Sequence, residues 1–383
     1  MQDDEFIAVQ DAVRDFIRAE VMPREAEIEE TDQVPDDVRA KAVAMGLFGY
    51  TLPEEFGGMN ATVEQDVRLA IEFGYTSLAF RSMFGTNNGI AGQVLVNYGS
   101  PDQQLTWLPR LAAGAVASFA LTEAEAGSDP SGMRTRAADT SDGYYEISGS
   151  KRFITNAVIA DLFMVFARTA DAPEPGSPAG ISCFLVEGGT PGLTVGPKDA
   201  KTGQAGAWTS EVHFDRVRVP ASSLVGGTAG AGFAAAMRSL SKGRLHIAGL
   251  CVGSAQRLVD ESVAYASTSR QGGRPIGEFQ LVQAMLAEMK TGLDAGQALV
   301  LDAARRYDSG ADRKIGPSSA KLFCAEMVCR AADHAVQIHG GMGYMRGTTV
   351  ERIARDVRVM RIYEGTSEVQ KLIIGRALLR AAR

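Results

Sequence analysis

The hydrophobic period changes twice along this chain, and that limits it to a helix–sheet–helix arrangement. From residue 5 to about 118, apolar residues recur at helical spacing, as in Phe6, Val9, Val13 and Phe16, and again in Val67, Ala70, Ile71 and Gly74. Pro23, Pro35 and Pro53 punctuate this region, and Pro53–Gly58 reads as a turn between helices. From about 119 to 225 the texture is that of strands. Tyr144–Gly149 ends in a turn, Leu162–Ala167 and Ile181–Val186 are continuous apolar runs, and Glu211–Val219 alternates. Ala170–Pro178 reads as an exposed loop. From about 230 onward helical spacing returns over Gly232–Thr268, Glu278–Ser309, Pro317–Ile338 and Thr366–Arg380, four helices long enough for a bundle. The expected fold is α+β: an N-terminal helical domain (1–118), a middle β-barrel or sandwich domain (119–229) and a C-terminal four-helix bundle (230–383).

Composition narrows the function. A net charge of −7 argues against a general nucleic-acid or membrane-surface binder, so an anionic ligand must be met by local arginines. No apolar run is long enough to cross a bilayer. The acidic start Met1–Glu5 argues against a targeting peptide, and the four cysteines form no CxxC pair. A reducing cytoplasmic setting with free thiols is the expectation. The histidines show no metal-ligand spacing, so no metal site is expected. The glycines at 340, 341, 343 and 347 follow a helix rather than a strand, which leaves a nicotinamide-type Rossmann site unsupported.

The segment Arg361-Ile362-Tyr363-Glu364-Gly365-Thr366-Ser367-Glu368 places a carboxylate on a tight turn before a helix. Gly365 permits the turn, and Ser367 with Gln370 fits a capping box. Between Ile362 and Tyr363 on one side and a helix start on the other, Glu364 can be shielded from water. Its pKa would then rise into the range of a general base. A surface glutamate stabilising a helix N-terminus is the alternative.

A second segment, Phe119-Ala120-Leu121-Thr122-Glu123-Ala124-Glu125-Ala126-Gly127-Ser128-Asp129-Pro130, and a third, Gln337-Ile338-His339-Gly340-Gly341-Met342-Gly343-Tyr344, complete a set. In this order and spacing the three motifs resemble the acyl-CoA dehydrogenase family over essentially the whole chain. The resemblance implies FAD as cofactor, with Phe119, Leu121, Thr122, Gly127 and Ser128 lining it. Phe153, Ile154 and Thr155 would lie on its other face, and Thr366 and Glu368 at the late turn. It also implies that Arg270, Gln280, Gln337, Gly340 and Gly341 reach the FAD of a neighbouring subunit, in a homo-oligomer that is usually a tetramer. Glu364 would remove the α-proton of an acyl thioester as the β-hydrogen leaves as hydride to flavin N5. Ser128, Arg244, Gly365 and Arg81 would meet the substrate, and an electron-transfer flavoprotein would accept the electrons.

Several places depart from the family pattern. Phe153 stands where many relatives carry Trp, and Gly347 where they carry an acidic or amide residue. Ser269 and Gly272 replace an arginine and an aromatic, leaving Arg270 or Arg274 to compensate. Gly243 occupies a helix position where some members keep their catalytic acid, so Glu364 has no competitor there. Arg81-Ser82 resembles the glutaryl-CoA dehydrogenase branch, where this pair meets a distal carboxylate, although Gly74 lacks that branch's further acidic residue. An arginine paired to a buried acid is the alternative for Arg81. The expected substrate is a short, polar or anionic acyl thioester on CoA or a carrier protein. A decarboxylating dehydrogenase, an oxidase, a desulfinase or a non-catalytic flavin-binding protein remain open beside this reading.

Overall fold

The computed structural model describes residues 2–174 and 176–382; Met1, Arg383 and Pro175, the last within the loop expected at 170–178, lie outside the described residues. The N-terminal part comprises α1 (Asp3–Phe16), α2 (Glu25–Thr31), α3 (Asp36–Ala44), α4 (Val63–Gly74), α5 (Leu78–Asn88), α6 (Ile90–Tyr98) and α7 (Pro101–Ala112). Thr62 and Ser100 cap α4 and α7, each in a reciprocal box with a Gln three residues on.

The strands are β1 (Ala117–Ala120), β2 (Arg136–Asp139), β3 (Tyr144–Thr155), β4 (Leu162–Arg168), β5 (Ile181–Glu187), β6 (Leu193–Val195) and β7 (Thr209–Pro220). They form one sheet in the order β1-β4-β2-β3-β7-β6, with β5 on the other side of β4. The continuous apolar runs have a direct cause: β4 is buried on both faces. Leu162, Met164 and Phe166 pack toward α6, α7 and the following long helix, whereas Phe163, Val165 and Ala167 enter a core closed by β3, β5 and β7. The turn expected at Gly149 is absent. The chain runs straight through it as β3, with Gly149 at φ 148° at a register shift against β7. A Cβ there would crowd Thr135, so the glycine serves a bulge, not a turn.

The C-terminal part holds α8 (Gly232–Thr268), the short hairpin β8 (Arg270–Gln271) and β9 (Arg274–Pro275), then α9 (Gln280–Asp308), α10 (Ile315–His339), α11 (Gly341–Tyr344), α12 (Thr349–Val357) and α13 (Ser367–Ala381). The four long helices agree with the sequence pattern; α11 and α12 were not anticipated. Gly272 and Gly273 both have positive φ, as a two-residue hairpin turn demands, and that accounts for glycine at both places. The helical parts share one continuous core, since α4 lies directly on α8. Their backbones touch: a Cβ on Gly74 would overlap the carbonyl of Leu250, and one on Gly253 would overlap that of Ile71. Position 74 therefore has no room for an acidic side chain. This close crossing brings Asp66 of α4 against His246 of α8.

Candidate active site

Glu364 lies on a turn in which two successive residues are left-handed, Glu364 at φ 56° and Gly365 at φ 88°. A non-glycine residue persists in that conformation only where its surroundings impose it. Here Lys321 of α10, fully buried, donates from Nζ to the Gly365 carbonyl at 2.7 Å. Gln370 of α13 donates to the carbonyls of Gly365 (3.0 Å) and Glu364 (3.3 Å). The helix cap differs from the expected one. Thr366 is the N-cap, its hydroxyl accepting from the Val369 N–H at 3.3 Å, while Ser367 bonds Glu326 instead. Gln370 thus braces the turn rather than closing a capping box.

The Glu364 side chain is half-buried, yet its Oε2 is enclosed and accepts no hydrogen bond. Burial pushes its pKa above the ordinary carboxylate range; Arg81, then Arg244, then Lys321 act in the opposite direction. A Cβ built on Gly243 would stand 3.0 Å from Oε2, so the alternative helix position for an acid faces the same point in space. Arg244 is buried beside it with Nε unpaired, and burial lowers its guanidinium pKa while Glu364 opposes that.

Arg81 lies across Gly85, whose absent side chain leaves the space the guanidinium fills. Its Nε donates to His246 Nε2 at 2.7 Å. His246 Nδ1 meets Asp66 Oδ1 at 2.8 Å, and Tyr50 Oη donates to the same oxygen at 2.6 Å. Arg81 is therefore neither paired to a buried acid directly nor turned to solvent. Ser82 is buried at the next position, its carbonyl accepting from Asn156 at 2.7 Å.

A second group of residues gathers where β1 passes into its loop beside β3. The Arg152 N–H donates to the Thr122 carbonyl at 2.9 Å, and the Ser118 hydroxyl donates to the Thr155 carbonyl at 2.7 Å. Phe119 and Leu121 are buried, with Phe119 packed on Phe166, so their backbone rather than their side chains faces this region. Ile154 is likewise buried; Thr122 and Thr155 are half-buried, and Gly127 and Ser128 are open. Phe153 is a left-handed aromatic at φ 58° and 59% exposed. An exposed aromatic beside half-buried hydroxyls, and an open glycine with nothing near its Cβ position, fit a flat ring system lying across them.

Sequence reading missed what supports this loop. Lys151, fully buried, bonds Glu123 Oε1 at 2.8 Å and the Leu121 carbonyl at 3.1 Å. Glu123 also accepts from the Arg134 N–H (2.6 Å), the Thr135 N–H (3.0 Å) and the Thr135 hydroxyl (2.5 Å). Burial lowers the Lys151 pKa to about 8 against the pull of Glu123. The detectable signals were single lysines on otherwise buried faces, Lys151 in a strand and Lys321 in a helix.

Of the remaining predicted residues, Thr366 and Glu368 directly follow the Glu364 turn, and the others lie elsewhere on this chain. Arg270 is exposed and bonds the Gly273 carbonyl of its own hairpin at 3.2 Å; Arg274 stacks on Phe279. Gln280, Gln337, Gly340, Gly341 and Glu368 are exposed, and Thr366 is engaged in capping. Nothing stands within 4 Å of a Cβ built on Gly340 or Gly341.

Comparison with known proteins matches this geometry to a family. The acyl-CoA dehydrogenase N-terminal, middle and C-terminal domain models match residues 3–115, 118–217 and 230–379. The chain belongs to the acyl-CoA dehydrogenase family and is a flavin-type oxidoreductase, with FAD as the cofactor the family implies. It is 39% identical over 376 residues to an acyl-CoA dehydrogenase of Bacillus subtilis, covering 98% of each chain. It is 36% identical to the caffeyl-CoA reductase-Etf complex subunit CarC of Acetobacterium woodii, covering 96% of each. The structure of butyryl-CoA dehydrogenase from Megasphaera elsdenii superposes with a TM-score of 0.94 at 31% identity, covering 99% of each chain. No helix among the described residues is long and apolar enough to cross a membrane.

Proposed function

We propose that the protein is an FAD-dependent dehydrogenase of a short, polar or anionic acyl thioester, with Glu364 as the base that takes the α-proton. One observation carries the reading: a carboxylate held on a left-handed turn, its Oε2 enclosed and without a hydrogen-bond partner. Such an oxygen is free to accept a proton, and its raised pKa suits it to do so near neutral pH. The Glu364 N–H, on the same braced turn, is the donor assigned to the thioester carbonyl, which must be polarised before its α-proton can leave. Arg244 keeps positive charge beside the carboxylate. Thr122, Phe153, Ile154, Thr155, Gly127 and Ser128 are the residues assigned to FAD, which supplies the hydride acceptor when bound. Gly340 and Gly341, with Arg270, Gln280 and Gln337, are assigned to the cofactor of a neighbouring subunit.

Arg81 is assigned to the acyl end. Its Nη atoms make no hydrogen bond among the described residues, and its charge reaches Glu364. A tail carrying a carboxylate or other polar group would satisfy them; an alkyl tail would leave them desolvated and unpaired. An electron-transfer flavoprotein is proposed as the acceptor, supported by the relative named as part of an Etf complex. That relative's name also supports the reverse direction, in which the same Glu364 returns the proton.

The test is anaerobic mixing of the yellow holoprotein with butyryl, octanoyl, isobutyryl, glutaryl and succinyl thioesters while flavin absorbance is followed. Bleaching by one or two members is expected, and Glu364→Gln should retain FAD while losing bleaching by orders of magnitude. Near-normal reduction in that variant would remove Glu364 from the chemistry.

A further inference from the structure

We infer that His246, held by Asp66 and Tyr50, is a positioning residue that orients Arg81 and thereby sets which acyl groups the enzyme prefers. The inference rests on the assignment of Arg81 to the acyl end. It follows from the direction of three hydrogen bonds. Arginine has only N–H donors, so the 2.7 Å contact from Arg81 Nε makes His246 Nε2 an acceptor. A histidine that accepts at Nε2 is neutral and carries its proton on Nδ1, where Asp66 Oδ1 receives it at 2.8 Å. Tyr50 Oη donates to that oxygen as well; against the cost of burial, the hydrogen bonds from His246 and Tyr50 and the charge of Lys242 hold Asp66 below the ordinary carboxylate range. The carboxylate therefore stays ionised and fixes the tautomer of His246.

The groups facing His246 are Asp66 from α4, Arg81 from α5 and Lys242 from α8, with Tyr50, from the segment before α4, bonded to Asp66. Burial, then Arg81 and Lys242, resist its protonation more than Asp66 favours it, so its pKa lies below the ordinary histidine value. The line Tyr50–Asp66–His246 takes up Arg81 Nε alone. Both Nη atoms remain for a ligand, in a plane fixed by the ring and by the seat over Gly85. A flexible arginine would have to lose rotamer freedom on each binding event; this one has lost it already.

The experiment measures the ratio of flavin-reduction efficiency for glutaryl-CoA over butyryl-CoA in the holoenzyme, as a function of pH. Taking the ratio cancels the titration of Glu364, which serves both thioesters, and the glutaryl carboxylate stays ionised above about pH 5. In the wild type the ratio should be steady at pH 7–8 and fall as the pH drops below the ordinary histidine range of about 6.5. Protonated His246 has no acceptor for Arg81 and places two cations side by side. His246→Leu should lower the ratio about tenfold and make it independent of pH. His246→Gln, whose carbonyl can accept from Arg81 while its amide donates to Asp66, should keep the ratio and hold it flat into acid. Arg81→Ala is run alongside. If it lowers the ratio while His246→Leu does not, the relay is overturned and the anion reading stands. If Arg81→Ala affects both thioesters equally, the anion reading itself falls and the inference falls with it. A wild-type ratio that does not move in acid, together with an unchanged ratio in His246→Leu, overturns the relay.

Discussion

Replacing Lys321 with methionine tests whether the charges under the Glu364 turn set the strength of the base. Methionine matches the lysine in length and is at home in the buried place, so the volume of α10 is preserved. Two consequences compete. The hydrogen bond from Nζ to the Gly365 carbonyl is lost, but that carbonyl keeps Gln370 at 3.0 Å. The ammonium is itself uncomfortable, its pKa lowered by burial to about 8, so its removal relieves a cost. The net loss of stability should be small, about 1 kcal/mol. The electrostatic consequence has a definite sign. Lys321 stabilises ionised Glu364, and without it the carboxylate is harder to ionise. Opposite charges close to a carboxylate move it by about 1–3 units, and Lys321 is the weakest of three cations here, so we take about one unit, ~1.4 kcal/mol. The assay is the first-order rate of anaerobic flavin reduction across pH. The rising limb should shift upward by about one unit. Well below it the variant should run about tenfold slower than wild type, and above it the two should converge. A limb that stays in place, or moves to lower pH, would refute the electrostatic reasoning.

Lys151→Met leaves Glu123 buried with its three other donors, so the loss should sit near the low end for breaking a buried pair, ~3 kcal/mol. It should show as a lower melting temperature and loss of FAD on gel filtration; unchanged retention would mean the loop does not depend on this lysine. Gly74→Ala should destabilise by about 1–3 kcal/mol through overlap with the Leu250 carbonyl, read by denaturant unfolding, and an unchanged midpoint would deny the close α4–α8 crossing. Tyr344 is 84% and Leu379 70% exposed, which suits contact between subunits. Tyr344→Asp with Leu379→Asp should reduce the assembly size measured by light scattering, whereas an unaltered mass would place the interface elsewhere.

The helices and most strands were legible because their periods are strong. Val67, Ala70 and Gly74 mark α4 by spacing alone, and the runs at 162–167 and 181–186 mark strands buried on both faces. Where local chemistry allowed two outcomes, tertiary structure chose. Gly149 reads as a turn, yet Thr135 presses on it and β7 pairs with both sides, so the strand continues. Ser367 and Gln370 have the chemistry of a capping box, but Glu326 takes the serine and the Gly365 carbonyl takes the glutamine. The position of Glu364 could be read from its turn. The brace of that turn and the partner of Arg81 could not, because Lys321 lies 44 residues upstream of Gly365 and His246 reaches Arg81 across 165 residues of sequence. Such partners carry no local signature beyond a polar side chain on a buried face.

The 3.0 Å between the Gly243 Cβ position and Glu364 Oε2 bears on how such an enzyme can change over generations. A glutamate at 243, with a glycine at 364, would start from that contact and can bring a carboxylate to the same pocket from a helix instead of a turn. The two substitutions are separately costly. With both acids present, one must stay protonated; with neither, no base remains. Made together they exchange the scaffold that carries the oxygens while leaving the place of proton removal where it was. Two lineages that differ in the sequence position of their base can thus be two substitutions apart and still take the proton in the same pocket.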